Sequence, residues 1–194
     1  MNVRRFFPAW GSDAAFRAFV RFAGECPAAH FVLLGGVGTE PLVAQARATL
    51  QREGLASRFT LFDGDLPLAE CAALMSIADI CVSLMREIDM RPLASILEAA
   101  CAGGAPIIGD QPEYRAMEAL GFSAIFVGPD DSDAAVAALR RYAADAELRR
   151  SVGEKNDRYL REHEDGVSQA RDLLRRVGAL DAADVRPPHE SSRA

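Results

Sequence analysis

His30-Phe31-Val32-Leu33-Leu34-Gly35-Gly36-Val37-Gly38 decides how the rest of the chain is read. Four large apolar residues in succession, Phe31 to Leu34, leave no polar face. A strand of this kind needs cover on both sides, as in a parallel sheet packed between helices. The glycines that follow make a tight turn. Beyond them, residues 40 to 52 predict a helix, and Gly54 marks its end.

The same alternation extends in both directions. Asn2 to Phe7 predicts a short strand, broken by Pro8 and Gly11. A helix follows from Asp13 to Glu25, with Phe16, Phe19, Val20 and Ala23 on one face and Ser12 or Asp13 as its cap. Downstream, strands are predicted at 59–62, 80–84, 106–109 and 124–127. Helices are predicted at 68–77, 93–102, 112–120, 131–144, 146–163 and 167–180, with the acidic group 131–133 at the positive end of its helix. Six strands alternating with helices, joined by right-handed crossovers, imply a Rossmann-like, doubly wound α/β domain over residues 1–180 with extra C-terminal helices. Residues 181–194 read as a disordered tail. Ligands of such sheets sit beyond the carboxyl ends of the strands. That singles out the loops 6–12, 35–39, 63–67, 85–95 and 109–113.

Composition narrows the classes. The 194 residues are 49% hydrophobic and 26% charged, the proportions of one globular domain. No run of 18 apolar residues exists, so no transmembrane helix is expected. The stretch Met1 to Phe7 has two arginines but no apolar leader, so a signal peptide is not expected. Net charge is −6, which argues against a nucleic-acid binder. The charge is uneven: residues 1–139 hold 10 basic and 17 acidic side chains, and 140–176 hold 10 and 8. Dense charge of both signs predicts exposed helix faces with i,i+4 pairs. Cys26, Cys71, Cys81 and Cys101 have no ligand spacing to one another or to His30, His163 and His189. They read as small buried hydrophobes in a reducing cytoplasm, and no metal site is expected.

Two loops carry candidate chemistry. Gly35 to Gly38 resembles a phosphate-binding turn, but in a G-x-G-x-x-G pattern from Gly36 the third glycine is Pro41. The nearest acidic residues stand 17 (Glu53) and 27 (Asp63) positions on, where about 20 is wanted, so a plain strand-to-helix turn is the better reading. The helix after the fourth strand is more informative. Its first turn is short of side-chain caps and leaves N–H groups for an anion. Glu98 lies one or two turns inside it. A carboxylate there accepts hydrogen bonds from both hydroxyls of a ribose while the helix start holds a diphosphate. On spacing alone, a solvated helix glutamate is equally well supported.

The residues Leu97-Glu98-Ala99-Ala100-Cys101-Ala102-Gly103-Gly104-Ala105-Pro106-Ile107-Ile108 resemble the "LLEAMACGxPVI" segment of the retaining, GT-B-fold glycosyltransferases of group 1. Other pieces follow in the family's order. Val3 to Gly11 is similar to "VGRLxPEKG", His30 to Gly38 to "xLVIVGxGP", and Phe62-Asp63-Gly64 with Leu74, Ala78-Asp79-Ile80 and Ser83 to "FLGxV…LYxxADVFVxPS". Asp110 to Arg115 resembles the turn after "VVAS". The resemblance spans about residues 3–165 and implies the C-terminal, nucleotide-sugar-binding half of such an enzyme, without the acceptor-binding N-terminal domain.

Carried over by position, the resemblance implies that Arg5 holds the donor diphosphate and Glu98 the ribose. It implies that Leu93, Ala94 and Ser95 offer backbone N–H groups to the phosphate, and that Gly64 and Asp65 lie where main chain holds the base. Two positions depart: the assisting lysine is Trp10, and the first glutamate of the Glu–seven residues–Glu motif, a donor-sugar contact, is Met90. Asp89, one residue off, substitutes if the loop is shifted, and Arg86 or Arg91 are candidates to replace the lost cation. Such a cation stabilises the departing diphosphate, an effect often worth several kcal/mol of barrier.

The expected function is therefore binding of a UDP- or GDP-sugar donor. No metal or cofactor is involved, and no transfer occurs without an acceptor domain. The alternatives are a catalytically dead interaction or self-association module, for which Trp10 and Met90 speak, and a flavodoxin-like or nucleoside-binding domain sharing only topology.

Overall fold

The computed structural model describes residues 2–3, 11–34, 40–62, 66–86, 94–128 and 130–163. The elements run β1 (Asn2–Val3), α1 (Ser12–Glu25), β2 (Phe31–Leu34), α2 (Glu40–Arg52), a 3-10 turn (Ala56–Arg58) and β3 (Phe59–Phe62). They continue with α3 (Leu68–Ser76), β4 (Ile80–Ser83), α4 (Ala94–Cys101), β5 (Ala105–Gly109), α5 (Pro112–Ala119), β6 (Ile125–Val127), α6 (Ser132–Ala144) and α7 (Ala146–His163). The expected helix 167–180 and the tail lie outside the described residues, as do positions 4–7 of the first expected strand.

All strand pairs are parallel. Instead of one six-stranded ladder, the strands form two hydrogen-bonded sheets, β1-β2-β3 and β4-β5-β6. β1 runs beside β4, so the order across the layer is 3-2-1-4-5-6, the doubly wound arrangement. The described part of β1 is two residues, against four in β2 and β4.

Period-two alternation sorts the core onto two faces. Phe31, Leu33, Val82, Leu84, Ala105 and Ile107 meet α1, α2 and α6. On the opposite face Leu34 packs with Met75 of α3, and Cys81 and Ile108 pack with α4, α5 and Tyr159 of α7. Both faces are covered, which is why the strands carry no polar side. The first face is tied by rings: Phe19 stacks on Phe31 at 5.1 Å and Phe31 on Phe59 at 5.7 Å, with Phe16 edge-on to Phe59 at 5.8 Å.

Polar groups inside are matched. The side chain of Asn156, fully buried on α7, donates to the Ser123 carbonyl (2.9 Å) and accepts from the Ser123 amide (2.7 Å). This pins α7 to the approach of β6. The hydroxyl of Tyr142 donates to the Pro106 carbonyl at 3.3 Å, and burial pushes its pKa up to about 12. Arg58 donates to three carbonyls, Ala23, Cys26 and Ala29, at 2.7–2.9 Å. It closes the end of α1, whose last turn holds no basic residue.

Two local expectations change. The N-cap of α1 is Gly11, not Ser12 or Asp13; Ser12 is buried and Asp13 lies in the first turn. Of the cysteines, only Cys81 is buried. Cys26 and Cys71 are half-buried and Cys101 is exposed, because α4 turns that position away from the sheet. Burial pushes the Cys81 thiol up. At α6, Asp131 is the N-cap, its carboxylate accepting from the Ala134 amide at 2.8 Å.

Candidate donor site at the carboxyl end of the sheet

The start of α1 and the described segments after β4, β5 and β6 meet at the carboxyl ends of the strands. Two glycines let the backbone close up there. Gly11 has φ 67°, and a Cβ on it would lie 1.7 Å from the Leu84 carbonyl oxygen. A Cβ on Gly109 would lie 2.6 Å from the Met85 carbonyl oxygen. The segment leaving β4 therefore passes between the turn that starts α1 and the end of β5. This is the crevice beside the point where strand order reverses, the usual ligand position of such folds.

Arg86 fixes that crossing. It donates to Asp13 through both terminal nitrogens (3.0 and 3.2 Å) and to Asp130 through Nε (3.0 and 3.2 Å) and a further short contact. Arg17 joins Asp13 at 2.8 Å and approaches Asp130 at 3.9 Å. Gln111 Nε2 donates to the carbonyls of Met85 (3.3 Å) and Arg86 (3.0 Å). The first turn of α1 and the described segments after β4 and β6 are thus held by one charge-balanced group of two guanidiniums and two carboxylates. Burial alone would raise the Asp13 carboxyl, but hydrogen bonds from Arg86 and Arg17 hold it below the usual carboxylate range. The Arg86 hydrogen bonds lower Asp130 as well, and the two carboxylates raise the guanidinium in turn. Asp130 adopts φ 64°, a left-handed conformation uncommon for a non-glycine residue, and this network holds it there. Sequence spacing gave no sign of the group, since residues 13, 86 and 130 meet only in the fold.

Among the expected site residues, Ala94, Ser95 and Glu98 are described. All three lie on α4, which leaves the carboxyl end of β4; its first turn carries no acidic residue. Ala94 is exposed, Ser95 half-buried and Glu98 exposed, one turn inside the helix. The helix is anchored beneath them by Ile96, Ala99 and Ala100, which are buried. Arg5, Trp10, Gly64, Asp65, Asp89, Met90 and Leu93 lie outside the described residues, as does Arg91. Arg86 is engaged by two carboxylates, Asp13 and Asp130. Beyond Gln111, Asp110 and Glu118 hold Arg115, whose guanidinium lies 4.0 Å over the Phe126 ring. Among the described residues, no group of three or more His, Cys, Asp or Glu side chains is arranged to hold a metal ion. No described helix is long and apolar enough to cross a membrane.

Order 3-2-1-4-5-6, cover on both faces and a crevice between β1 and β4 define a Rossmann-like domain of the GT-B type. The chain belongs to the group 1 glycosyl transferases, whose family model matches residues 1–159. Solved structures agree on the fold. The C-terminal domain of the group 1 protein LpcC from Francisella tularensis superposes with a TM-score of 0.73 at 14% identity, covering 84% of this chain and 85% of that one. HepE from Anabaena, solved with UDP, superposes at 0.75 and 15% identity, covering 92% of this chain and 49% of HepE. WaaG, a glycosyltransferase of lipopolysaccharide biosynthesis, gives 0.68 at 18% identity, over 89% of this chain and 46% of WaaG. The chain thus spans about half the length of HepE and WaaG. A comparison with curated proteins gives no match.

Proposed function

We propose that this chain is the donor-binding half of a retaining glycosyltransferase, and that it takes a nucleoside-diphosphate sugar, UDP- or GDP-linked, at the start of α4. The observation that carries this is Glu98, exposed one turn inside a helix that starts at the carboxyl end of β4, in a chain of this family. Its carboxylate accepts hydrogen bonds from the two ribose hydroxyls. The diphosphate takes hydrogen bonds from the backbone N–H groups of Leu93, Ala94 and Ser95, where the helix dipole favours negative charge. Arg5 supplies the fixed cation, main chain at Gly64 and Asp65 holds the base, and Asp89 takes the sugar contact that Met90 does not provide. No metal takes part. That HepE was solved with UDP supports the choice of ligand. Transfer requires an acceptor domain, so this chain alone binds donor without turning it over. Free thiols fit a reducing compartment, and we place the protein in the cytoplasm.

Calorimetric titration with UDP, GDP and ADP, free and as sugar conjugates, tests the reading. One base is expected to bind saturably. Glu98→Ala is expected to weaken it about tenfold to a hundredfold, the loss of charge-assisted hydrogen bonds worth roughly 1.5–3 kcal/mol. Equal affinity in the variant removes Glu98 from the site. Trp10 and Met90, which stand where the family has a lysine and a glutamate, favour a second reading, a retired site kept for protein interaction. A folded sample that binds no nucleotide supports that one.

A further inference from the structure

The chain leaves β4 under close restraint. Three successive carbonyls there have fixed neighbours: Leu84 lies against Gly11, Met85 against Gly109, and Arg86 accepts from Gln111 Nε2 at 3.0 Å. Gln111 is the N-cap residue of α5, yet its side chain makes no capping bond to its own helix and serves Met85 and Arg86 instead. The Arg86 guanidinium reaches two further elements, Asp13 in the first turn of α1 and Asp130 just ahead of α6, where Asp130 holds φ 64°. Fold stability alone does not ask for this group. α1 and α6 are already joined by Arg21 with Ser132 and Asp133 (3.0 and 2.6 Å) and by Arg140 with Glu25. Those are exposed two-element contacts of a kind that contributes little. The Arg86–Asp13 pair is better shielded from water, belongs to a group that joins three elements, and stands where β4 hands the chain on towards α4.

The packing of α4 makes that position matter. Its body is seated by Ile96, Ala99 and Ala100, all buried. Ala94 and Ser95 come before the first of these, one exposed and the other half-buried. The core therefore places the body of the helix, and the direction of its first residues follows from how β4 delivers the chain. We propose that Arg86 is a positioning residue of the donor site. By tying the exit of β4 to α1 and α6 it aims the first turn of α4, so that a nucleoside diphosphate binds there tightly only while the Asp13–Arg86–Asp130 clamp is intact. This rests on the donor reading given above and adds to it a residue that acts without touching the ligand. Backbone amides aimed in advance give affinity that mobile ones lose to ordering, and displacements beyond about 0.5 Å already weaken such a site. The role needs the planar fork of arginine. One guanidinium engages two carboxylates at once, whereas an ammonium is a single point of charge.

The test measures the affinity of UDP and GDP by calorimetry for the whole chain and for Arg86→Ala, Arg86→Lys, Glu98→Ala, Arg140→Gln and Val152→Ala, with amide NMR of each free protein. Arg86→Ala is expected to weaken the nucleotide at least about tenfold and to move the Ala94 and Ser95 amide signals before any ligand is added. Arg86→Lys is expected to lose about threefold to tenfold, since the fork is gone and the charge remains. Arg140→Gln breaks the Glu25 pair between α1 and α6, and Val152→Ala trims a buried core residue. Both are expected to stay within about twofold of native affinity, with the Ala94 and Ser95 signals unmoved, although Val152→Ala lowers Tm. Native affinity in folded Arg86→Ala overturns the proposal; if Glu98→Ala is still weakened, the donor reading stands without it. Native affinity in Arg86→Lys overturns it too, because charge alone then suffices. An equal loss in Val152→Ala reduces the effect to global stability, with the same consequence. A folded native chain that binds neither nucleotide overturns both the proposal and the reading beneath it. Should Arg86→Ala fail to fold, Asp130→Asn takes its place: asparagine tolerates the left-handed backbone and removes one carboxylate. A loss of affinity is expected there as well, and native affinity overturns the proposal.

Discussion

Arg86 shows how much of the site's geometry rests on one side chain. It is 24% exposed and its partner Asp13 18%, so the pair is partly shielded from water. Replacing the guanidinium leaves Asp13 with Arg17 alone and Asp130 with a distant Arg17. Arg86→Gln is expected to cost about 1–2 kcal/mol in urea unfolding, a range that allows for solvent screening. The pH dependence follows from the carboxylates. Asp13 and Asp130 have folded values below their ordinary ones. Their contribution is therefore complete above the unfolded pKa, near 4, and disappears as pH falls through the folded values. The stability gap between the native protein and Arg86→Gln should be full at pH 7 and shrink below about pH 4. A gap that stays constant down to pH 2 would mean that the carboxylates do not carry it.

Among the elements, α1 and α4 set the crevice, and their starts depend on different things. Gly11 caps α1 because the chain needs φ 67° within reach of the Leu84 carbonyl. Gly11→Ala is expected to destabilise by about 3 kcal/mol or more, since both conformation and contact are strained. Gly24, in the last turn of the same helix, is the counterpart, because a Cβ placed there would meet nothing within 4 Å. Gly24→Ala should stabilise by about 0.5–1 kcal/mol. Thermal unfolding of the two variants checks both signs, and equal effects would contradict the close approach at Gly11. Strand and helix order was legible from runs such as Phe31 to Leu34, because strands covered on both faces leave an uninterrupted apolar signal. The cap at Gly11 and the exposure of Cys101 were not, because each depends on what another element brings to the position.

At the scale of the molecule, the chain has two ends with different chemistry. The carboxyl end of the sheet gathers polar turns, a charge-balanced clamp and the open start of α4. The amino end holds an apolar cavity lined by Phe19, Phe22, Leu74 and Ile77. The family was legible from short motifs in a fixed order, and the match over residues 1–159 bears that reading out. Of the proposed site, the motif in the sequence singled out Glu98, Ala94 and Ser95, which lie on α4, whereas the Arg86 clamp that shapes the crossing carries no motif. The central claim is that nucleotide meets the polar end. Amide NMR of the whole chain titrated with UDP and GDP tests it most directly. Shifts are predicted with one of them, concentrated at residues 94–98 and at the turns around Gly11, Arg86 and Gln111. Shifts confined to residues at the amino ends of the strands, or none from either nucleotide in a folded sample, would contradict it.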